Sequence, residues 1–502
     1  MISESKKEFR VSRGRRIHAE IEVPGDKSIS HRSLMFSALT NGPCELTGFL
    51  PSEDCLATMG AMQQLGVKID ILEEDKKGRP TKVVVHGCGG KFKAPEEDID
   101  CGNSGTTMRL LSGLLAAQPF ESRLTGDESL STRPMRRVME PLAKMGAEIT
   151  AEGEGDCAPL HIKGKSLNGI EYKLPMASAQ VKSAILIAGL FAKGKTTVIE
   201  PTPTRDHTER MLQYFGGKVV VDGKNISTYG GQTFEARDFF VPGDISSAAF
   251  WLVAAAAQKD SRLTIRNVGL NPTRAGIIQV LTRMGARISD SVISDGTGEP
   301  YGHVVVKGHA LHSVKIEGDI IPNIIDEIPI ISIAAALAKG TTTIRGAEEL
   351  RVKETDRISA VADNLEKIGA GVEQFYDGLD IAGGDELQGA KVPSYGDHRI
   401  AMSFAIAGLF AEGETIIEDV DCVNTSYPGF GAELKNFMSS RISSGERTTV
   451  ITSVFSKEEL QERVKAVKSE KKREKVEDKR NRADKKWEER APDDESDFNL
   501  AP

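Results

Sequence analysis

SAILIAGLFAKGKTTVIE, residues 183–200, runs from an apolar, Ala-rich stretch through a Lys-Gly turn into the β-branched run Thr196 to Ile199. Read alone, Gly189 to Thr196 satisfies G-x-x-x-x-G-K-[ST], the pattern of a phosphate-binding loop. That loop needs a strand before it and a helix after it. Here the order is reversed, so the segment reads as a helix, a glycine turn and a strand. The same arrangement returns along the chain without the Lys-Thr signature. It reads SLMFSALTNGPCELTGF at 33–49, RLLSGLLAAQPFESRLTG at 109–126 and AAFWLVAAAAQKDSRLTIRN at 248–267. It then reads IISIAAALAKGTTTIRG at 330–346 and IAMSFAIAGLFAEGETIIED at 400–419.

Six copies make an internal repeat. Each is followed by a second, amphipathic helical stretch ending in a glycine turn. The turns are QLGVKI, KMGAEI, YFGGKV, RMGARI and KIGAGV, at Gly66, Gly146, Gly216, Gly285 and Gly369, about 70 to 84 residues apart. The sixth copy frays after Phe437. A unit that alternates a 3.6-residue period with β-branched runs is a small α/β module. One module cannot bury its own helices, so six predict stacking with the Ala-rich helices innermost. A longer symmetry overlies this one: VPGDKSISHRSL starts at Val23 and VPGDISSAAFWL at Val241. It divides the body into two halves of three units. The Pro-Gly turn at each opening is where the chain would cross between lobes, and a cleft between lobes is the expected place for a small ligand.

Composition agrees. Of 502 residues 39% are hydrophobic and 49 are Gly, as in a globular chain, while aromatics are only 5%, which leaves an aliphatic core. The longest apolar run, Ala248 to Ala257, is half of what a bilayer span needs. The opening MISESKKEFR has no apolar segment of a secretory signal. Six scattered Cys, with no C-x-x-C and no H-E-x-x-H, give no sign of a zinc site or disulfide framework and fit a reduced cytoplasm. The net charge of −8 lacks a nucleic-acid footprint. Beyond residue 440 the chain is nearly half charged and lacks an apolar stripe, and it reads as a solvated extension, disordered or partly helical. A partner- or RNA-binding arm around KKREK at 471–475 is the other reading of that segment.

Chemistry-bearing residues gather at helix starts. Lys27, Ser28 and Arg32 lie in GDKSISHR, Asn103 to Thr107 precede Arg109, and Ser178-Ala179-Gln180-Val181-Lys182 open the third apolar helix. Ser, Thr and Asp are ordinary N-caps. Three such loops in symmetric units, each with a cation, point further, to anion binding at helix N-termini. The other half carries Asp326-Glu327, Lys353-Glu354-Thr355-Asp356-Arg357 and Asp397-His398-Arg399. Carboxylates facing a cationic site suit proton transfer.

VPGDKSISHR, GNSGTTMR, RPM, PMASAQVKSA, RDHTER, NPTR, RVKETDR and GDHRIAM, in this order over about residues 8 to 438, resemble the 5-enolpyruvylshikimate-3-phosphate synthase family. SAQVK, RDHTE and NPTR resemble its class II bacterial type, associated with reduced sensitivity to glyphosate. The resemblance implies a two-lobed inside-out α/β barrel, each lobe three βαβαββ units with helices inside. Residues 1–23 plus 241–440 would form one lobe, 24–240 the other, and 441–502 the extension. It implies enolpyruvyl transfer from phosphoenolpyruvate to the 5-hydroxyl of shikimate 3-phosphate with release of phosphate, no cofactor and no metal, in a cytoplasmic monomer. No membrane or nucleic-acid partner is expected. Shikimate 3-phosphate would be held by Lys27, Ser28, Arg32, Ser178, Ala179, Gln180, Arg205, Asp326 and Lys353. Phosphoenolpyruvate would be held by Lys27, Gly105, Arg133, Gln180, Arg357 and Arg399. The catalytic set would be Asp326 for the hydroxyl proton, Glu354 for the methylene proton, and Lys27.

Three departures stand out: Thr425 where many members have Lys, Glu349 where some have Asn, and the tail. Gly105 leaves open the room that glyphosate needs. The sequence leaves two other readings open. One is enolpyruvyl transfer to UDP-N-acetylglucosamine on the same fold, although DKSISHR and SAQVK are not of that family. The other is an inactive repeat scaffold with a binding tail, which deletion beyond residue 440 would separate from an enzyme.

Overall fold

The computed structural model describes residues 7–294, 298–438 and, for the backbone, 450–452. The expected extension 441–502 otherwise lies outside the described residues. The six Ala-rich stretches form the helices Lys27–Ala38, Gly105–Leu115, Ala179–Gly189, Ile245–Ala257, Ile328–Leu337 and His398–Gly408. They are buried almost all round, which their sequence demands: a helix apolar on every face must lie inside. Each fully buried Ile or Leu contributes about 1.5–3 kcal/mol. Small residues let these helices touch. A Cβ on Gly113 would sit 2.2 Å from the Ala184 carbonyl oxygen of the neighbouring inner helix.

Each inner helix is followed by a strand that centres a small sheet. Pro43–Thr47, Glu121–Thr125, Lys195–Ile199, Arg262–Gly269, Gly340–Ile344 and Glu414–Glu418 play this part. In five units the strand pairs antiparallel with one arm of a hairpin, as Lys195–Ile199 does with Asn225–Tyr229. The sixth unit has no such hairpin among the described residues. The N-terminal strand Glu8–Ser12 takes its place, pairing antiparallel with Glu414–Glu418. The sequence reading found the fraying and not the repair, because the completing strand lies some 400 positions away. The second helix of each of the first five units ends at the glycine turns read from the sequence, and all five glycines have positive φ, from 83° to 104°. The Gly189–Thr196 segment is the end of a helix, a turn and the start of a strand, so the phosphate-loop pattern is coincidental.

Buried apolar side chains form two cores. One draws on residues 29–241, the other on 11–23 and 245–437. The architecture is therefore two-lobed α/β with the helices inside. The strands that lead into the first and fourth inner helices pair with sheets of the opposite half of the repeat. His18–Glu22 leads into the first inner helix but pairs parallel with Arg262–Gly269, while Phe239–Phe240 leads into the fourth and pairs with Pro43–Thr47. The two Pro-Gly-Asp turns cross between these strands. Asp26 N donates to Pro242 O at 2.7 Å and Asp244 N to Pro24 O at 2.8 Å. A Cβ on Gly25 would lie 2.0 Å from Gly48 O, so only glycine fits there. Among the described residues no single helix is long and apolar enough to cross a membrane.

Candidate active site

The first lobe turns the N-termini of its three inner helices toward the second. Asp26, Ser104 and Ser178 are their N-caps, accepting from the N–H groups of Ile29, Thr107 and Val181. The capping reading of Ser104 and Ser178 is thus correct, and it does not compete with an anion site: uncapped N–H groups of the same first turns remain directed outward. Between the lobes lies a cavity of about 290 Å³. Lys27, Ser28, Gly105, Arg133, Ser178, Ala179, Gln180, Arg205, Asp326, Lys353, Glu354, Arg357 and Arg399 all line it. Every residue that the sequence reading assigned to substrate binding or catalysis is there except Arg32. Arg32 is 4% exposed and lies behind the cavity wall. It donates to Ser28 O, Thr208 Oγ1 and Ser183 Oγ, each at 2.9 Å. In this structure it braces the wall, and burial pulls its guanidinium down to about 10.

Nine cations and six carboxylates line the cavity, so the site is electropositive. In three ion pairs across the lobe junction the signs are divided by lobe, although Arg274, Lys353, Arg357 and Arg399 give the second lobe cations of its own. Arg205 Nη2 and Asp326 Oδ2 are 2.6 Å apart, Arg137 Nη1 and Glu349 Oε2 2.9 Å, and Arg133 Nη1 and Glu354 Oε1 3.7 Å. In each pair the cation belongs to the first lobe and the carboxylate to the second. Burial pushes the Asp326 carboxyl up, but Arg205, Arg399, Lys353 and Arg357 overcome it and hold Asp326 well below the usual carboxylate range. Glu354 behaves alike: burial raises it, and Arg357 and Arg133 leave it well below.

Arg357 is the hub of the second lobe. Its Nε donates to Asp397 at 2.7 Å, Nη2 to Glu354 at 2.7 Å and Nη1 to Asp326 at 3.3 Å, with the side chain 1% exposed. It therefore holds both carboxylates in register, one on each side. Arg399 Nη1 donates to the Asp326 carbonyl at 2.9 Å. Arg133 is fixed by Asn103 Oδ1 at 2.8 Å and Ser129 Oγ at 3.0 Å. Gln180 is oriented at both ends: its amide donates to Thr106 Oγ1 at 2.9 Å, and its carbonyl accepts from Arg109 at 2.7 Å. A Cβ on Gly105 would lie 2.8 Å from Arg109 Nη1 and 3.5 Å from Arg133 Nη1.

Sequence reasoning passed over several participants. Asp54 pairs with Lys27, and burial raises its carboxyl despite that neighbour. In the sequence it is an unremarkable acid in the first turn of the helix Glu53–Gln64. Arg137 and Arg274 also line the cavity. Arg137 had one signal, its place four residues after Arg133 at the start of a helix. Thr425 does not line the cavity. Its Oγ1 donates to Cys422 O at 2.8 Å and lies 3.3 Å from His398 Nδ1. His398 does line the cavity, and burial, Lys27 and Arg399 hold its imidazole well below its usual range, hence neutral.

The comparisons with known proteins agree with one another. The family model described as EPSP synthase (3-phosphoshikimate 1-carboxyvinyltransferase) matches residues 11–434. A relative from Akkermansia muciniphila named 3-phosphoshikimate 1-carboxyvinyltransferase is 54% identical over 425 residues, covering 84% of this chain and 98% of that protein. One of the same name from Bacillus subtilis is 51% identical, covering 82% and 96%. A solved structure of EPSP synthase from Acinetobacter baumannii superposes with a TM-score of 0.75 at 46% identity, covering 86% of this chain and 97% of that one.

Proposed function

The chain belongs to the EPSP synthase family, 3-phosphoshikimate 1-carboxyvinyltransferase, and from that premise we propose which of its residues carry the reaction. It is a transferase that moves the enolpyruvyl group of phosphoenolpyruvate to the 5-hydroxyl of shikimate 3-phosphate and releases phosphate, a step of aromatic amino acid biosynthesis. Lys27, Ser28, Ser178, Ala179, Gln180, Arg205 and Lys353 bind shikimate 3-phosphate, with Arg32 bracing Ser28. Lys27, Arg133, Gln180 and Arg399 bind phosphoenolpyruvate, with Gly105 leaving it room. Phosphoenolpyruvate concentrates about three negative charges in a few atoms, and the planar fork of Arg answers that density.

Asp326 takes the proton of the 5-hydroxyl while its oxygen bonds to C2 of phosphoenolpyruvate. Glu354 delivers a proton to the methylene carbon, which gives a tetrahedral intermediate. One proton of the resulting methyl group then returns to Glu354, the double bond re-forms and the C2–O bond to phosphate breaks, the departing phosphate taking up the proton that Asp326 received. Arg357 holds the two carboxylates in place for both steps. Asp326 is a poor base while Arg205 sits on it. A substrate phosphate that draws Arg205 away removes the strongest of the cations depressing it, so binding itself raises the base toward its working range. Phosphoenolpyruvate acts on Glu354 in the same way through Arg133.

This assignment rests above all on the convergence of Lys27, Arg133, Arg205, Asp326, Glu354 and Arg399 on one cavity. Among the described residues, those within 1–23 and 241–440 form one lobe and those within 24–240 the other. The enzyme is of the class II type and works as a cytoplasmic monomer on two small anions, with no membrane or nucleic-acid partner. The test is phosphate release from the two substrates. Glu354→Gln lowers turnover by about 10²–10⁴-fold. Turnover unchanged by that substitution, or equal release with UDP-N-acetylglucosamine as acceptor, removes the assignment.

A further inference from the structure

The segment Arg205 to Arg210 shows one face to the cavity and the other to the second lobe. Arg205 lines the cavity; Asp206 and His207 do not. Asp206 Oδ1 accepts from Asn271 Nδ2 at 2.8 Å and from Thr273 Oγ1 at 3.1 Å. His207 Nδ1 and Glu299 Oε1 are hydrogen-bonded at 2.7 Å, and Asn271 Nδ2 also donates to Glu299 Oε2 at 3.0 Å. Residues 206–207 are part of the stretch that builds the first core, and 271–299 of the stretch that builds the second. His207, Asn271 and Glu299 are each no more than 2% exposed. Polar groups this deeply buried are costly unless each meets its partner. The contact is therefore specific in geometry, and it adjoins Arg205 directly.

The other side of the same helix start is tied into the first lobe. Glu209 and Glu200 hold the Lys182 ammonium at 2.7 Å and 3.1 Å. Thr208 Oγ1 accepts from Arg32 at 2.9 Å and lies 2.7 Å from Ser183 Oγ. The loop that carries Arg205 is thus anchored both to the helix bearing Gln180 and to the opposite lobe. Two of the strings read from the sequence, RDHTER and NPTR, meet here without either touching the cavity through these side chains.

We propose that Asp206 and His207, gripped by Asn271, Thr273 and Glu299, form an interlobe clamp that positions Arg205 for the phosphate of shikimate 3-phosphate. The inference rests on the role assigned to Arg205 above and deepens it. Without substrate, Arg205 leans on Asp326. When it turns to a phosphate it loses that support, and its backbone position is then set by Asp206 and His207 on one side and Thr204 on the other. The clamp residues are positioning residues: they act on one substrate, through one arginine, and leave the phosphoenolpyruvate side of the cavity alone.

Full-length His207→Gln, Glu299→Gln and the double variant test this. Each single variant raises KM for shikimate 3-phosphate, and its Kd by calorimetry, about ten-fold. KM for phosphoenolpyruvate changes less than about two-fold and kcat less than about three-fold. The double variant is no worse than the worse single one, because the two act as a unit. Thr273→Val touches only the half-buried part of the clamp, so it keeps the fold, and it shifts the same constant about three-fold. A parallel rise in both KM values, a loss confined to kcat, or no shift in Thr273→Val overturns the clamp. A wild-type protein that releases no phosphate overturns the assignment beneath it, whereas an active wild type with insensitive variants overturns the clamp alone.

Discussion

Val23-Pro24-Gly25-Asp26 and Val241-Pro242-Gly243-Asp244 are the same four residues, and they do the same structural work. Each turn carries the chain across the lobe junction, each donates to the other's proline carbonyl, and each aspartate caps the inner helix that follows. Arg274 Nη2 stands by both caps, 3.1 Å from Asp244 and 3.8 Å from Asp26. The next residue separates them. Lys27 leans into the cavity and pairs with Asp54, whereas Ile245 is 1% exposed in the second core. The symmetry thus lies in the backbone and the caps, and the chemistry in the side chain one step beyond. This is a repeat fold whose two halves share a scaffold and differ in the side chains they bring to the cavity: the first half supplies Lys27, Arg133 and Arg205, the second Asp326 and Glu354 together with Arg357 and Arg399.

Exchanging those two residues gives the largest effects. Ile245→Lys places an unpaired ammonium in a sealed aliphatic core, costing on the order of 5 kcal/mol or more. That rivals the whole stability of a typical domain, so the variant fails to give soluble folded protein, as read by yield and circular dichroism. Lys27→Ile makes the first crossing like the second. Turnover falls about 10³-fold, while the melting temperature drops by no more than about 5 °C, because Asp54, already raised by burial, takes up a proton. A Lys27→Ile enzyme that stays active would mean that the chemistry of the two crossings does not part at Lys27.

The helix Gly105–Leu115 sharpens the contrast within one element. Gly105→Ala meets the movable tip of Arg109, so it raises KM for phosphoenolpyruvate by roughly ten-fold with little change in melting temperature. Gly113→Ala meets the Ala184 carbonyl, so it lowers the melting temperature by about 5 °C or more and leaves KM alone. Reversed outcomes would show that the site end and the core end of this helix are not distinct.

The smallest effect concerns pH. Burial holds His398 well below its usual value, so below about pH 6.5 the unfolded chain binds a proton that the folded chain refuses, and stability is lost as pH falls. Asp326 and Glu354, also depressed, contribute stability that is complete above the ordinary carboxylate range near pH 4 and drains away below it. His398→Asn therefore flattens the fall of the unfolding free energy between about pH 6.5 and 5, by up to about 1.4 kcal/mol per pH unit, as read by denaturant titration at each pH, and leaves the acid limb below pH 4 unchanged. An unaltered slope between pH 6.5 and 5 would mean that His398 carries its proton in the folded state.

Much of this was legible in the chain. The six helix–turn–strand copies, the five outer-turn glycines and the paired Pro-Gly-Asp openings are local patterns, fixed by a 3.6-residue period, by β-branching and by the need for positive φ. Resemblance then pointed to Lys27, Arg133, Asp326, Glu354 and Arg399, and one cavity receives them all. Tertiary structure decided what depends on distant partners. It put Glu8–Ser12 into the sixth sheet, set Arg32 behind the wall, made Arg357 the link between Asp326 and Glu354, and drew Asp54, Arg137 and Arg274 into the cavity. The reason is physical: whether a guanidinium faces substrate or braces protein depends on which carboxylates and carbonyls lie within about 3 Å of it, and for most of these groups those atoms are contributed by residues tens to hundreds of positions away.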